Sequence, residues 1–190
     1  MIKAVIFDCF GVLTTEGFKA FCAKYFAGQP EKRAEAQDLM DQANLALMSH
    51  QEFVKRLAKL SEVAPQIVHD YLNSNQPNEQ LFDYIRQKLK SKCKIGMLSN
   101  ASSNWLSELF AHEDILLFDD IILSYEAGMT KPDPEIYKLS AKRLGVEVKE
   151  CVLIDDVDRY CEGAKTVGMQ AILYKDFDQM KTDLEAILKS

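Results

Sequence analysis

Four short apolar runs in this 190-residue chain each lead into polar groups that could do chemistry. Asp8 follows AVIF, Ser99-Asn100 end KIGMLSN, Lys131 lies in EAGMTKPDP, and Asp155-Asp156 end CVLIDD. Carboxylates gathered at one spot could hold Mg²⁺, a hard cation that prefers oxygen donors. A lysine ammonium and a serine hydroxyl beside them could hold the other oxygens of a phosphoryl group. A carboxylate so placed can attack phosphorus as a covalent nucleophile, a role that falls to Asp8. Each residue alone has a plainer use, because Asp and Ser at strand ends often cap the next helix or hold a turn. The functional reading rests on all four occurring together.

These groups meet only if the runs before them are neighbouring strands of one parallel sheet, where ligands gather at the carboxyl ends. Residues 2–7 are nearly continuously apolar, as a strand covered on both faces must be. Residues 94–99, 120–124, 151–155 and 170–174 read as further strands, with helices at 102–110 and 134–145, one closing over 162–168, and a helical C-terminus. Strand and helix alternating at this spacing predict βαβ units.

About 75 residues of helical pattern separate the first strand from the second. Phe18, Phe21, Cys22, Tyr25 and Phe26 share a face of a helix over 16–27. A second helix is expected over 31–48, a third after a Ser49/Glu52 capping box, and a fourth from Pro65. A polar connector, NSNQPN, precedes a helix carrying Leu81, Phe82, Ile85 and Leu89. The expected fold is α/β: a doubly wound parallel sheet (residues 1–14 and 89–190) with a helical cap inserted at 15–88.

The formal net charge of −6 argues against nucleic acid or an anionic membrane as partner, since both need clustered Lys and Arg. The one basic run, RQKLKSKCK at 86–94, lacks interleaved aromatics and reads as a solvated helix face. Five scattered cysteines without a C-x-x-C pair suggest reduced thiols and a cytoplasmic location. Cys9 has no histidine near it in sequence and is set aside as a nucleophile. His50, His69 and His112 are isolated; His50 or His69, in the cap, could act as an acid/base, though a surface or capping role is the plainer one. Asp133 and Asp158 read as helix caps. A monomer or a homodimer fits equally.

The four segments, in order, resemble the four motifs of the haloacid dehalogenase superfamily: Asp8 in FDCFGVL, Ser99 in LSNAS, Lys131 in KPDPEIY, and Asp155-Asp156 in LIDDVDRYCEGAKTVGM. The resemblance implies a Rossmann-like core with a small helical cap, and hydrolysis of a small phosphorylated substrate through an aspartyl-phosphate. It makes Asp8 the nucleophile. The Phe10 carbonyl, Asp8, Asp155 and Asp156 would be the Mg²⁺ ligands. Ser99, Asn100 and Lys131 would be the substrate contacts, with Lys131 also steadying Asp8. Gly11 would let the chain turn toward the cap.

Phosphatases of that superfamily usually carry a second Asp two residues after the first, as general acid and base. Here a phenyl ring, Phe10, stands there and carries no proton. Such a group contributes on the order of 10² to 10⁴ in rate. Three readings follow: a phosphatase limited to good leaving groups or borrowing an acid/base from the cap; a dehalogenase-like enzyme; or a degenerate member that binds without turnover. The dehalogenases have an aromatic residue at that place but usually lack the acidic pair that this chain has. Tyr160, where relatives with that pair often have Asn, adds weight to the third.

Overall fold

The computed structural model describes residues 1–189. Five parallel strands, β1 (Ala4–Phe7), β2 (Lys94–Ser99), β3 (Asp120–Leu123), β4 (Cys151–Asp155) and β5 (Gln170–Leu173), form one sheet in the order β3-β2-β1-β4-β5. The chain builds outward from β1 to β3, then crosses back to β4 on the other side of β1. That reversal makes the carboxyl end of β1 the switch point of the sheet. Phe7 pairs with Met97 on one side and Ile154 on the other. Asp8 is therefore level with Asp155 and one residue short of the level of Ser99.

Both faces of the sheet are covered, which explains the unbroken apolar runs of β1 and β4. On one face Val5, Phe7, Met97 and Ile154 share a core with residues of α5 (Glu79–Tyr84), of its π-helical continuation Ile85–Leu89, and of α11 (Phe177–Lys189). On the other, Ile6, Leu98 and Leu153 pack with α9 (Pro134–Leu144) and α10 (Asp158–Thr166). A third cluster, including Phe21, Phe26, Phe53, Leu57 and Val68, is confined to α1 (Gly17–Tyr25), α2 (Pro30–Asn44), α3 (His50–Ser61), α4 (Pro65–Leu72) and the segments that join them. No helix among the described residues is long and apolar enough to cross a membrane.

Several elements differ from the sequence expectation. Leu81, Phe82, Ile85 and Leu89 are buried in the sheet's core, so α5 groups with the sheet and not with the insert. We therefore propose that the insert ends near residue 78, ten residues before the boundary expected at 88. The helix expected over 31–48 stops at Asn44, and Ala46 lies in left-handed backbone at φ 57°. The helix expected over 102–110 shrinks to α6 (Leu106–Leu109), because Ser102, Ser103 and Asn104 favour a turn and Asn104 Oδ1 accepts from the Leu106 N–H. Two short helices, α7 (His112–Ile115) and α8 (Ser124–Ala127), are too brief to show a helical period in the sequence.

The chain enters and leaves the insert through two linkers that bond to each other. Thr15 N–H donates to the Gln76 carbonyl at 3.0 Å, and Gln76 N–H to Thr15 Oγ1 at 2.8 Å. Asn78, in the connector, donates to the Val12 carbonyl and caps α5 by accepting from the Leu81 N–H. Ser124 Oγ donates to the Asn44 carbonyl at 2.8 Å, fastening the end of α2 to the core.

Candidate active site

Lys131 is the centre of the site. Its side chain is fully buried, and Nζ donates to Asp8 Oδ1 and to Asp155 Oδ2, each at 2.6 Å. An ammonium taken out of water survives only with such pairing. Burial pulls the Lys131 pKa down, but Asp155 and Asp8 outweigh it and the net shift is upward. Burial pushes the Asp8 carboxyl up to about 8 against the pull of Lys131, and the charges of Asp155 and Asp156 add to the rise. The Val157 N–H holds the other oxygen of Asp155 at 2.9 Å.

Lys131 is held by its backbone as well as by its charge. Asn100 Oδ1 accepts from the Lys131 N–H at 2.8 Å, and Asn100 Nδ2 donates to the Lys131 carbonyl at 3.1 Å and to Tyr160 Oη at 3.2 Å. The Asn100 side chain is thus spent on positioning Lys131, a different use from the substrate contact expected of it. Tyr160 lays its ring 5.0 Å from Lys131 Nζ and accepts from Arg159 at 2.9 Å. Gly163 lets α10 approach this loop: a Cβ there would meet Pro132 Cβ at 2.7 Å. Ser99 is fully buried, and its hydroxyl has only a 3.5 Å contact, to the Asn100 carbonyl.

Asp8, Asp155 and Asp156 each offer a carboxylate oxygen within 4.8 Å of the others, so they could hold a metal ion. Asp156 Oδ1 is buried without a partner, while Oδ2 accepts from Lys19 of α1 at 3.0 Å. A lone buried carboxylate oxygen facing two further acids is a place for a hard divalent cation. Gly11 belongs to this geometry: it turns at φ 94°, and a Cβ would strike the Asp156 carboxylate at 2.5 Å. Only a glycine meets both demands.

A cleft of about 900 Å³ opens from Asp8 and Asp156 toward the insert. Phe10 lines it, with its ring centroid 4.7 Å from that of Trp105 in an edge-on contact. Phe18, Phe53 and Met40 add apolar wall; Gln37, Asn73, Asn75, His50 and His69 add polar groups. His50 and His69 therefore both face the cleft, although the sequence favoured a plainer role for them. Burial and the neighbouring His69 lower the His50 pKa against the pull of Glu108, and His50 Nδ1 has no partner. Cys9 is fully buried and its thiol is pushed well up by burial and by the Asp8 charge, which removes it as a nucleophile.

Two residues near the carboxylates were not foreseen. Lys19 bridges Asp156 and Glu16, at 3.0 and 3.8 Å. Burial, with the Asp156 charge second, pushes the Glu16 carboxyl up to about 7. Both residues lie where the linker becomes α1, and no strand end or motif marks them in the sequence.

A parallel α/β sheet thus presents a buried lysine and three carboxylates at its switch point, an arrangement compatible with a hydrolase of the haloacid dehalogenase superfamily. The chain belongs to it: a sequence model of the haloacid dehalogenase-like hydrolases matches residues 2–168. Phosphatase MT3486 of Mycobacterium tuberculosis is 28% identical over 191 residues, spanning 90% of this chain and 87% of that protein. A phosphorylated carbohydrates phosphatase of Thermotoga maritima is 24% identical over 189 residues, with 90% and 84% covered. Among solved structures, the HAD family enzyme bt-2542 of Bacteroides thetaiotaomicron, in complex with magnesium and inorganic phosphate, superposes with a TM-score of 0.71. It is 25% identical, over 95% of this chain and 99% of that one.

Proposed function

We propose that this protein is a Mg²⁺-dependent phosphatase that transfers the phosphoryl group of a small phosphorylated metabolite to Asp8 and then to water. The observation that carries the reading is the shared ammonium: Lys131 Nζ holds Asp8 and Asp155 at 2.6 Å each, with Asp156 completing the acidic cluster. The phosphatases named among its relatives, and the neighbour solved with magnesium and phosphate, support it.

Asp8 Oδ1 is engaged by Lys131, which leaves the other oxygen to attack phosphorus. Lys131 keeps Asp8 fixed and offers positive charge to the incoming group. Ser99 has only a long contact, so its hydroxyl is free to turn to a phosphoryl oxygen. Asp8, Asp155, Asp156 and the Phe10 carbonyl would hold Mg²⁺, which would offset the negative charge shared by the acids and the phosphoryl group. The aromatic and amide lining of the cleft suits an uncharged leaving group better than a second phosphate, since Arg159 is its single cationic residue among the described ones. We place the protein in the cytoplasm, with neither nucleic acid nor membrane as partner, as a monomer or homodimer.

Hydrolysis of p-nitrophenyl phosphate and acetyl phosphate, wild type beside Asp8→Ala, tests the reading, because neither substrate needs an acid to leave. Mg²⁺-dependent phosphate release lost in the variant is expected. No release above the Asp8→Ala background would favour a binding protein built on the same fold.

A further inference from the structure

We propose that Glu16 supplies the proton that Phe10 cannot, donating to the leaving oxygen from the mouth of the insert; this rests on the phosphatase reading above. Phe10 leaves position 10 without a proton donor and packs its ring on Trp105. Glu16 lines the cleft together with Asp8, Phe10 and Asp156. It also lines a smaller cavity of about 500 Å³ with Gly11, Lys19 and Asp156. Lys19 Nζ touches both carboxylates, which limits the distance between Glu16 Oε2 and Asp156 Oδ2 to the sum of two contacts, 3.8 and 3.0 Å.

The plain explanation for an acid at this point fails. Glu16 is the residue before α1, yet its side chain makes no capping bond to that helix. It turns to Lys19 and the acidic cluster. The groups around it are few: Lys19 on its own helix, Asp155 and Asp156 at the end of β4, and Tyr174 and Lys175 across the smaller cavity. The other proton donors of the cleft are placed differently. His50 has His69 and Glu108 as its charged neighbours, and His69 is bonded to Asn73. Tyr160 Oη is taken up by Asn100 and Arg159.

The proton balance is simple. As Asp8 forms its bond to phosphorus, the ester P–O bond breaks and the Glu16 proton passes to the departing oxygen, so the alcohol leaves neutral. Glu16 is then a carboxylate beside Lys19. It takes a proton from the water that attacks the aspartyl-phosphate, Asp8 is released as a carboxylate with inorganic phosphate, and Glu16 is protonated again.

The test is a series of aryl and alkyl phosphates of rising leaving-group pKa, comparing kcat/KM of wild type with Glu16→Gln and Glu16→Asp. This ratio reports the phosphorylation half alone. The loss in Glu16→Gln is expected to grow with leaving-group pKa, least on p-nitrophenyl phosphate and on the order of 10²-fold or more on alkyl phosphates. Glu16→Asp, which keeps a proton, should recover part of that loss. A loss of equal size across the series, as a structural role would give, overturns the assignment, as does no loss at all. Should Glu16→Gln fail to fold, a Glu16→Asp profile parallel to wild type with no leaving-group dependence overturns it too. If wild type turns over none of the substrates, the phosphatase reading falls and Glu16 with it; a flat ratio in an active enzyme rejects Glu16 alone.

Discussion

The two walls of the cleft are built by different means. The sheet side presents Asp8 to the cleft, with Ser99, Lys131 and Asp155 buried; strand register places Asp8, Ser99 and Asp155, and the Asn100 bonds place Lys131. The insert wall presents Phe18, Gln37, Phe53, His50 and His69 from α1 to α4, whose shared core contains no residue of the sheet. In the proposed function, chemistry falls to the side organised by the hydrogen-bonded sheet, and recognition to a separately packed body tied to the core by linkers and a few side-chain contacts. Changes in the first wall should destroy turnover of every substrate. Changes in the second should discriminate among substrates.

The largest effect falls on the nucleophile. Asp8→Ala should lower kcat on the order of 10⁴-fold or more on both acetyl phosphate and p-nitrophenyl phosphate. Removing the buried ammonium comes next. Lys131→Met leaves Asp8 and Asp155 facing each other without compensation, and should cost about 3 to 5 kcal/mol of stability as well as activity; chemical denaturation reads the first and phosphate release the second. A variant as stable as wild type would mean that the two acids do not depend on Lys131.

These first two predictions concern residues legible in the sequence, and for a physical reason. In β1, β2 and β4 the apolar run ends where the sheet ends, so the first polar residue marks the site. The insert offered no such mark. Its helices were visible from their periodicity, but which faces meet the cleft depends on how four helices pack, and His50 and His69 therefore read as surface residues. Trp105 fell inside the helix expected over 102–110, while the Ser102-Ser103-Asn104 turn that sets it against Phe10 has no periodicity to announce it. Asn100 was legible as part of the site but not in its use, since the paired bonds to the Lys131 backbone arise only from the meeting of two distant loops. The helix at 79–89 was assigned to the insert by proximity in sequence, whereas Leu81, Phe82 and Ile85 pack beneath the sheet.

Smaller effects sharpen the contrast. Mg²⁺ should raise the melting temperature, by the equivalent of about 2.7 kcal/mol at a hundredfold excess over Kd. Asp156→Asn should weaken that shift, because Asp156 Oδ1 is the buried oxygen without a partner. A shift unchanged in the variant would move the cation away from this cluster. The mildest change is on the recognition side. Phe18→Ala removes apolar surface from the insert wall and should raise KM for p-nitrophenyl phosphate about tenfold, worth about 1.4 kcal/mol, with little change for acetyl phosphate. Equal losses on both substrates would show that the two walls do not divide the work.

The most direct measurement is to mix the protein with Mg²⁺ and acetyl phosphate, quench in acid within the first turnover, and locate any added mass by peptide mass spectrometry. One phosphoryl group on the peptide containing Asp8, absent from Asp8→Ala and from protein treated with chelator, is the predicted result. Phosphate release without that adduct under any quench time, or an adduct on another residue, would contradict a covalent role for Asp8.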